Sequence, residues 1–364
     1  MQKNSACLEN ITRCLLYGAG SVGEETVFVL KRSGITPVAF LDTKKNGFVA
    51  DIPVFPPDDV PVEFRKLPII ISIFSSPLSC SLASISKYLK ELGYEKIISF
   101  ETLYCMCHQY FEKKHYWLSE PDFFIGHFED FMKVSEMLAD DISKILLKKQ
   151  LSFRLSGRLE DLPSPSPIQF QYFDPSVYSK SHFYEFWDLG AYIGDTLALA
   201  EQNGKRIEEV IAFEPDINNY IQCCHYLCEH RAYYKRAMAL PLAIGDVVEK
   251  LNFDETAFAN ASVQEHGKSS VCSINLDAAF IDFKPDFIKM DIEGSELPAL
   301  MGMIGTIKNN RPLLAISIYH RPGDIYEIPL FLMKALNDYK FHIRCYGEHL
   351  FDTVLYAVPK EIGK

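Results

Sequence analysis

No apolar stretch in this 364-residue chain approaches ~18 residues, the length that crosses a bilayer as a helix. The opening residues, MQKNSACLENITRCLLYG, lack a basic start followed by an apolar run and a cleavage site, so the cytoplasm is the expected compartment. Positive charge is also short. A net charge of −11 disfavours a nucleic-acid partner and gives no electrostatic pull toward an anionic membrane. Ten cysteines are present without framework-like spacing, which excludes a disulfide scaffold and reads as reduced thiols. Metal-ligand spacing is missing as well: Cys105, Cys107, His108 and His115 cluster, but without a second CxxC or a spaced histidine pair, so no metal is expected. Cys223, Cys224 and Cys228 read as core-facing residues of a helix. What the chain does have is 48% hydrophobic and 23% charged residues, enough length and apolar content for two globular domains.

The stretch Phe183 to Pro215, FYEFWDLGAYIGDTLALAEQNGKRIEEVIAFEP, reads as strand, glycine loop, helix, strand. Ligands of α/β sheets sit beyond the carboxyl ends of the strands, so the loop from Asp188 to Gly194 and the acid Glu214 face one crevice. Glu214 is placed to hold a ribose diol. The loop is not GxGxxG, and its acids Asp188 and Asp195 would repel a pyrophosphate. The expected ligand therefore has a ribose but no phosphate, which S-adenosylmethionine satisfies. Its ammonium can meet an acid and its carboxylate can meet helix N–H groups. An ordinary βαβ crossover with a turn glycine is the plainer alternative.

A second nucleotide-type unit spans Arg13 to Asp42, with glycines at Gly18, Gly20 and Gly23 and an acid, Asp42, at fingerprint spacing. The same turn also serves plain helix–sheet packing, so a nucleotide or nucleotide-sugar site and a purely structural loop both stay open. No His, Lys or Tyr constellation accompanies it. This half is similar to the small Rossmann-like domains found ahead of some sugar-modifying transferases, and docking or homodimer formation is its other expected use.

Leu67–Phe74 and Lys96–Phe100 read as further strands around a helix at Ser81–Leu92, closing a first domain over 1–103 with room for about four strands. Residues 104–170 form a helical and irregular linker, in which Phe128 to Gln150 has the rhythm of one long helix with Phe131, Val134, Leu138, Ile142 and Ile145 or Leu146 on a face. The prolines 163, 165 and 167 make an extended connector. Residues 171–364 alternate strand and helix: a helix at 216–230, a third strand at 238–244, peripheral strands flanking a loop at 260–269, a buried strand at 287–290, another at 313–319, and a closing antiparallel pair at 341–345 and 353–358. The expected class is α/β, a seven-stranded doubly wound Rossmann-like methyltransferase sheet behind a smaller N-terminal Rossmann-like domain.

DLGAYIGDT at Asp188 to Thr196, AFEPD at Ala212 to Asp216 and FIKMDIEGSE at Phe287 to Glu296 stand in the order and spacing of the FkbM family of S-adenosylmethionine-dependent methyltransferases, which this half resembles over about Tyr172 to Pro359. AIGD at Ala243 to Asp246 is a weaker fourth block. The resemblance implies methyl transfer to a hydroxyl of a sugar, glycan or natural product. It also implies that Gly190, Ala191, Tyr192, Gly194, Asp195 and Thr196 line the methionine part of the cofactor. Glu214, with Pro215 and Asp216 beside it, would bind the ribose, and Ala243 and Ile244 would flank the adenine. Some members carry His where Cys345 stands, so no catalytic weight rests there.

Methyl transfer needs acceptor oxygen, methyl and sulfur in line, and a hydroxyl acceptor also needs somewhere for its proton to go. Asp291 and Glu293 stand at the carboxyl end of the 287–290 strand, and His320 follows the next one. Helix capping is the alternative use of the two acids, and no role is assigned to Lys289. A nucleotide- or NAD-dependent sugar-modifying enzyme and a non-catalytic binding protein are the rival readings of the whole chain.

Overall fold

The computed structural model describes residues 11–253 and 269–362, in two compact units. Unit 1 takes the chain up to Glu129, then Ile145–Pro165 and Gly347–Phe351; unit 2 takes Asp130–Lys144, Ser166–Tyr346 and the chain from Asp352 onward.

Unit 1 is built on β1 (Arg13–Tyr17), β2 (Thr36–Leu41), β3 (Gly47–Val49), β4 (Ile52–Phe55), β5 (Ile69–Ile71) and β6 (Ile97–Ile98), in spatial order β3-β4-β2-β1-β5-β6. All neighbours pair parallel except β3 with β4. That hairpin goes beyond the four strands expected. Its turn is Ala50-Asp51 with φ of 50° and 63°, a left-handed pair that sequence normally announces with Asn-Gly. Helices α1 (Ser21–Arg32), α2 (Leu82–Glu91), α3 (Phe100–Cys107) and α4 (Pro121–Gly126) complete the layer, and Ser81 and Ser99 cap α2 and α3 by accepting from Ser84 and Thr102 N–H. Apolar faces of β1, β2 and α1 meet around Leu16, Phe40, Val27 and Leu30. Two charged groups are buried with partners: Arg154 lies over the Trp117 ring at 4.7 Å, and Glu101 meets His349 at 2.6 Å.

The rhythm over 128–150 resolves into two helices, α5 (Phe128–Met137) and α6 (Asp141–Ser156). Asp140 breaks the run because its carboxylate accepts the Ser143 N–H at 2.7 Å, the local competition that favours short acids at helix starts. The helical phase resets there. Phe131, Val134 and Leu138 are buried as expected, whereas Ile142 and Ile145 are each 58% exposed.

Unit 2 carries the seven-stranded sheet. Its strands are β7 (His182–Leu189), β8 (Arg206–Phe213), β9 (Arg236–Leu240), β13 (Phe287–Met290), β14 (Leu313–Ser317), β15 (Tyr339–Cys345) and β16 (Thr353–Pro359), in order β15-β16-β14-β13-β7-β8-β9. Only β16 runs antiparallel to its neighbours, as two strands joined by a short turn require. The strand expected over 238–244 is divided at Pro241, which has no N–H for a ladder: β10 (Leu242–Ile244) leaves β9 and joins β11 (Glu249–Phe253) and β12 (Ser269–Ile274) in a separate three-stranded sheet. The loop expected at 260–269 lies outside the described residues apart from Ser269. Helices α7 (Asp195–Gln202), α8 (Ile217–Glu229), α9 (Leu276–Ala279), α10 (Glu296–Met301), α11 (Ile304–Asn310) and α12 (Asp324–Ala335) cover the sheet. Phe183, Phe186, Phe287 and Tyr356 fill the core against them. Among the described residues, no helix is long and apolar enough to cross a membrane.

Candidate functional site

Adjacent parallel strands β7 and β13 set Asp188 beside Lys289 and Leu189 beside Met290, so the loops leaving both strands emerge together. The β7 loop is pinned on three sides. Gly190 and Ala191 N–H donate to Phe213 O at 2.9 and 3.0 Å, Asp291 N–H donates to Leu189 O at 2.9 Å, and the Lys289 ammonium donates to Gly190 O at 2.6 Å. Gly190 is irreplaceable here: its φ is +79°, and an added Cβ would lie 1.8 Å from Asp291 O. Tyr192, at φ 47°, turns its N–H onto Glu214 Oε2 at 2.8 Å, while Asp216 N–H takes Glu214 Oε1 at 2.9 Å. Glu214 thus sits under the loop at the end of β8, 7% exposed, and burial pushes its carboxyl up to about 7 against the two N–H donors.

Asp188 and Lys289 form a buried ion pair, 3.0 Å apart with side chains 0% and 3% exposed. Burial raises the Asp188 carboxyl to about 6 despite the lysine, and for Lys289 burial opposes the ammonium but Asp188 and Asp291 outweigh it. Lys289 also faces the Tyr172 ring at 5.4 Å. Asp188 therefore lies beneath the 190–194 loop, Asp195 is exposed in the first turn of α7, Thr196 is buried behind it, and Asp216 caps α8 by accepting Asn218 and Asn219 N–H at 2.9 Å. Ala243 and Ile244 lie on β10, half-buried and buried.

The ends of β13 and β14 bring Asp291, Glu293 and His320 together, with Glu296 as a fourth member. His320 Nε2 is 3.2 Å from Asp291 Oδ1 and 3.7 Å from Glu293 Oε2, and its Nδ1 is 2.9 Å from Glu296 Oε1. Glu296 Oε1 also accepts the Ile292 N–H at 2.9 Å, and Tyr172 donates to Asp291 Oδ2 at 2.8 Å. Burial disfavours the imidazolium, but Glu296 and Asp291 outweigh it and hold His320 well above its ordinary range. For Asp291 burial is likewise outweighed, by His320, Lys289 and Tyr172, and its carboxyl falls to about 2; burial raises Glu293 to about 7. α10 begins at Glu296, and the side chain of its N-cap, Ser295, makes no capping hydrogen bond.

Sequence reading missed three members of this site. Tyr172 lies 119 residues from Asp291, and nothing local marks it. Lys289 gains its meaning only from strand register. Glu296 reads as an acid in a first helical turn, and only the fold brings His320 to it.

In unit 1, Gly18, Gly20 and Gly23 form the turn into α1. A Cβ on Gly23 would lie 2.4 Å from Gly18 O, and one on Gly20 would meet nothing within 4 Å. Asp42 Oδ2 accepts Ala19 N–H at 2.9 Å, its Oδ1 accepts Lys44 and Lys45 N–H, and the Lys45 ammonium donates to Ala19 O at 2.7 Å. Cys105 and Cys107 are buried on α3, where burial raises the Cys105 thiol to about 12, and His115 pairs with Glu25 at 2.9 Å. Among the described residues one group of three metal-capable side chains converges, and it lies in unit 2: Asp291, Glu296 and His320, with donor atoms within 4.8 Å of one another.

The strand order, the pinned glycine loop and the acids at the carboxyl edge define a Rossmann-like methyltransferase. Residues 188–343 match the methyltransferase FkbM domain, so this part of the chain is similar to the FkbM methyltransferases. For residues 188–343 this match sets aside the rival readings as an oxidoreductase or a non-catalytic binder. Methyltransferase FkbM from Methylobacillus flagellatus KT has the same fold, with a TM-score of 0.77 and 23% identity over 98% of this chain and 93% of that one. Much weaker matches include a precorrin-6y C5,15-methyltransferase from Geobacter metallireducens GS-15, at TM-score 0.32 and 12% identity over 49% of this chain and 81% of that one. A fibrillarin from Aeropyrum pernix also matches at TM-score 0.32, with 11% identity over 49% of this chain and 67% of that one. No protein with a curated description matches the chain.

Proposed function

We propose that this methyltransferase uses S-adenosylmethionine and methylates a hydroxyl of a sugar, glycan or natural product. The observation that carries the reading is the buried carboxylate of Glu214 at the end of β8, tied to the turning Tyr192 and flanking a loop with no phosphate cradle. When bound, the cofactor supplies an electrophilic methyl on a cationic sulfonium. Glu214 holds the ribose hydroxyls, the 190–194 loop takes the methionine end, and the excess of carboxylates suits a ligand with two positive charges. Asp291 and Glu293 receive the acceptor's proton or orient the hydroxyl. His320, held as an imidazolium between Glu296 and Asp291, has no lone pair to serve as the base in that state.

Glu214→Ala should weaken S-adenosylmethionine binding tenfold or more by calorimetry, since hydrogen bonds to a charged group are worth ~1.5–3 kcal/mol each. Glu214→Gln, which keeps the shape and one acceptor, should fall between. Unchanged affinity in a folded Glu214→Ala protein removes Glu214 from the cofactor site.

For unit 1 we infer an architectural loop. Both Asp42 oxygens accept backbone N–H groups of its own surroundings, and Lys45 closes the turn from the other side. Full-length protein should show no thermal shift with NAD or UDP-sugars, and Gly20→Val should leave methylation unchanged. A saturable shift that Gly20→Val abolishes would establish a nucleotide site instead.

A further inference from the structure

The cluster around His320 holds more negative charge than the neighbouring side chains balance. Asp291, Glu293 and Glu296 all approach one imidazole, and the nearby Lys289 is already engaged by Asp188 and Gly190 O. Two carboxylate oxygens there also lack directed donors. Glu296 is 0% exposed, yet its Oε2 accepts no hydrogen bond, and Asp291 Oδ1 lies 3.2 Å from His320 Nε2 without hydrogen-bond geometry. A buried charged oxygen without a donor is costly.

We propose that Asp291, Glu296 and His320 bind one divalent cation, with Glu293 as a neighbouring carboxylate able to join or to orient the ion's water. The donor atoms lie within 4.8 Å of one another. Ligands at bond lengths of about 2.0–2.2 Å stand roughly 3–4.2 Å apart around a shared ion, and because Asp291 lies at Nε2 and Glu296 at Nδ1, one of the two carboxylates swings toward the nitrogen that takes the ion. Two carboxylate oxygens and one imidazole nitrogen suit Mn²⁺, Fe²⁺ or Zn²⁺. Three protein ligands leave coordination positions free for the crevice. On the reading of this crevice as the site of methyl transfer, an acceptor hydroxyl bound there becomes more acidic and is fixed in direction, which a carboxylate alone achieves less well. On binding, the cation takes the lone pair of one ring nitrogen, whose proton is released to solvent, and the other nitrogen keeps its N–H.

The test uses full-length protein stripped with a chelator and then titrated with Mn²⁺, following the free-ion electron paramagnetic resonance signal. The expected result is loss of the signal up to one equivalent and a higher melting temperature. His320→Ala and Glu296→Gln should each weaken the binding by at least roughly 10- to 100-fold. Because both residues are buried and either variant could fail to fold, Co²⁺ added to the unmodified protein is the second measurement. Visible bands of a nitrogen- and oxygen-ligated ion are expected, with one histidine contact seen by nitrogen hyperfine coupling. An undiminished Mn²⁺ signal together with a Co²⁺ spectrum like that of the free ion overturns the proposal and leaves an imidazolium caged by acids. Calorimetry of S-adenosylmethionine in the presence of chelator keeps the two ideas apart. Cofactor binding without Mn²⁺ binding sinks the metal site alone, and Mn²⁺ binding without cofactor binding sinks the cofactor assignment alone.

Discussion

Lys289→Ala should destabilise unit 2 by about 3–5 kcal/mol at pH 8, the cost of leaving one partner of a buried pair uncompensated. Asp188 is 0% exposed, and Lys289 is its charged partner at 3.0 Å. The truncation also strips a donor from Gly190 O, so the 190–194 loop loosens together with the sheet beneath it. A pH signature separates this from simple loss of packing. The Asp188 carboxyl already stands at about 6 in the folded protein, above its ordinary value near 4, so folding binds its proton more tightly than the unfolded chain does. Such a group loses stability as pH rises from the unfolded value through the folded one, and removing Lys289 moves the upper limit higher still. The variant should therefore recover part of its stability at pH 5.5. Urea denaturation at the two pH values reads it directly. A loss under 1 kcal/mol at pH 8, or no dependence on pH, would show that the pair contributes little. Asp188→Asn combined with Lys289→Met should restore much of the loss, because no charge is then left buried.

Asp291→Asn should lower turnover by about 10²–10⁴-fold, while S-adenosylmethionine binds within a few-fold of normal. Asparagine keeps the shape and can still accept the Tyr172 hydroxyl, which meets Oδ2 at 2.8 Å, so the architecture survives the change. What disappears is the negative charge facing His320 Nε2 at 3.2 Å and, with it, the place for the acceptor's proton. Demethylated cofactor released against a panel of hydroxyl-bearing sugars measures the rate, and calorimetry measures the binding. Full turnover with intact binding would move the role to Glu293.

The parts of this site that are contiguous in sequence were legible there. The loop at 188–196, the acid at 214 and the strand end at 287–293 each carry their own turn chemistry, and strand–helix alternation was enough to set seven strands in one sheet. What escaped depends on partners distant in the chain. Lys289 faces Asp188 only because β13 and β7 pair in a particular register, and Glu296 meets His320 only because β14 lies next to β13. The strand break at Pro241 and the helix break at Asp140 were visible as residues. Their effect was hidden because apolar periodicity continued across them.

Gly347–Phe351 belongs to unit 1, although the residues on either side of it belong to unit 2. Glu101, fully buried on α3, meets His349 of this segment at 2.6 Å, and Trp117 donates to the His349 carbonyl at 2.8 Å. A ribosome must therefore translate almost the whole message before the N-terminal unit can finish its own core. Until then Glu101 waits without its counter-charge, and a chaperone meeting the nascent chain would find that unit still open. Fragments cut near residue 103 or 129 should inherit the same defect permanently, so library screens built on such truncations would report the stability of an incomplete core rather than the properties of the loop it carries.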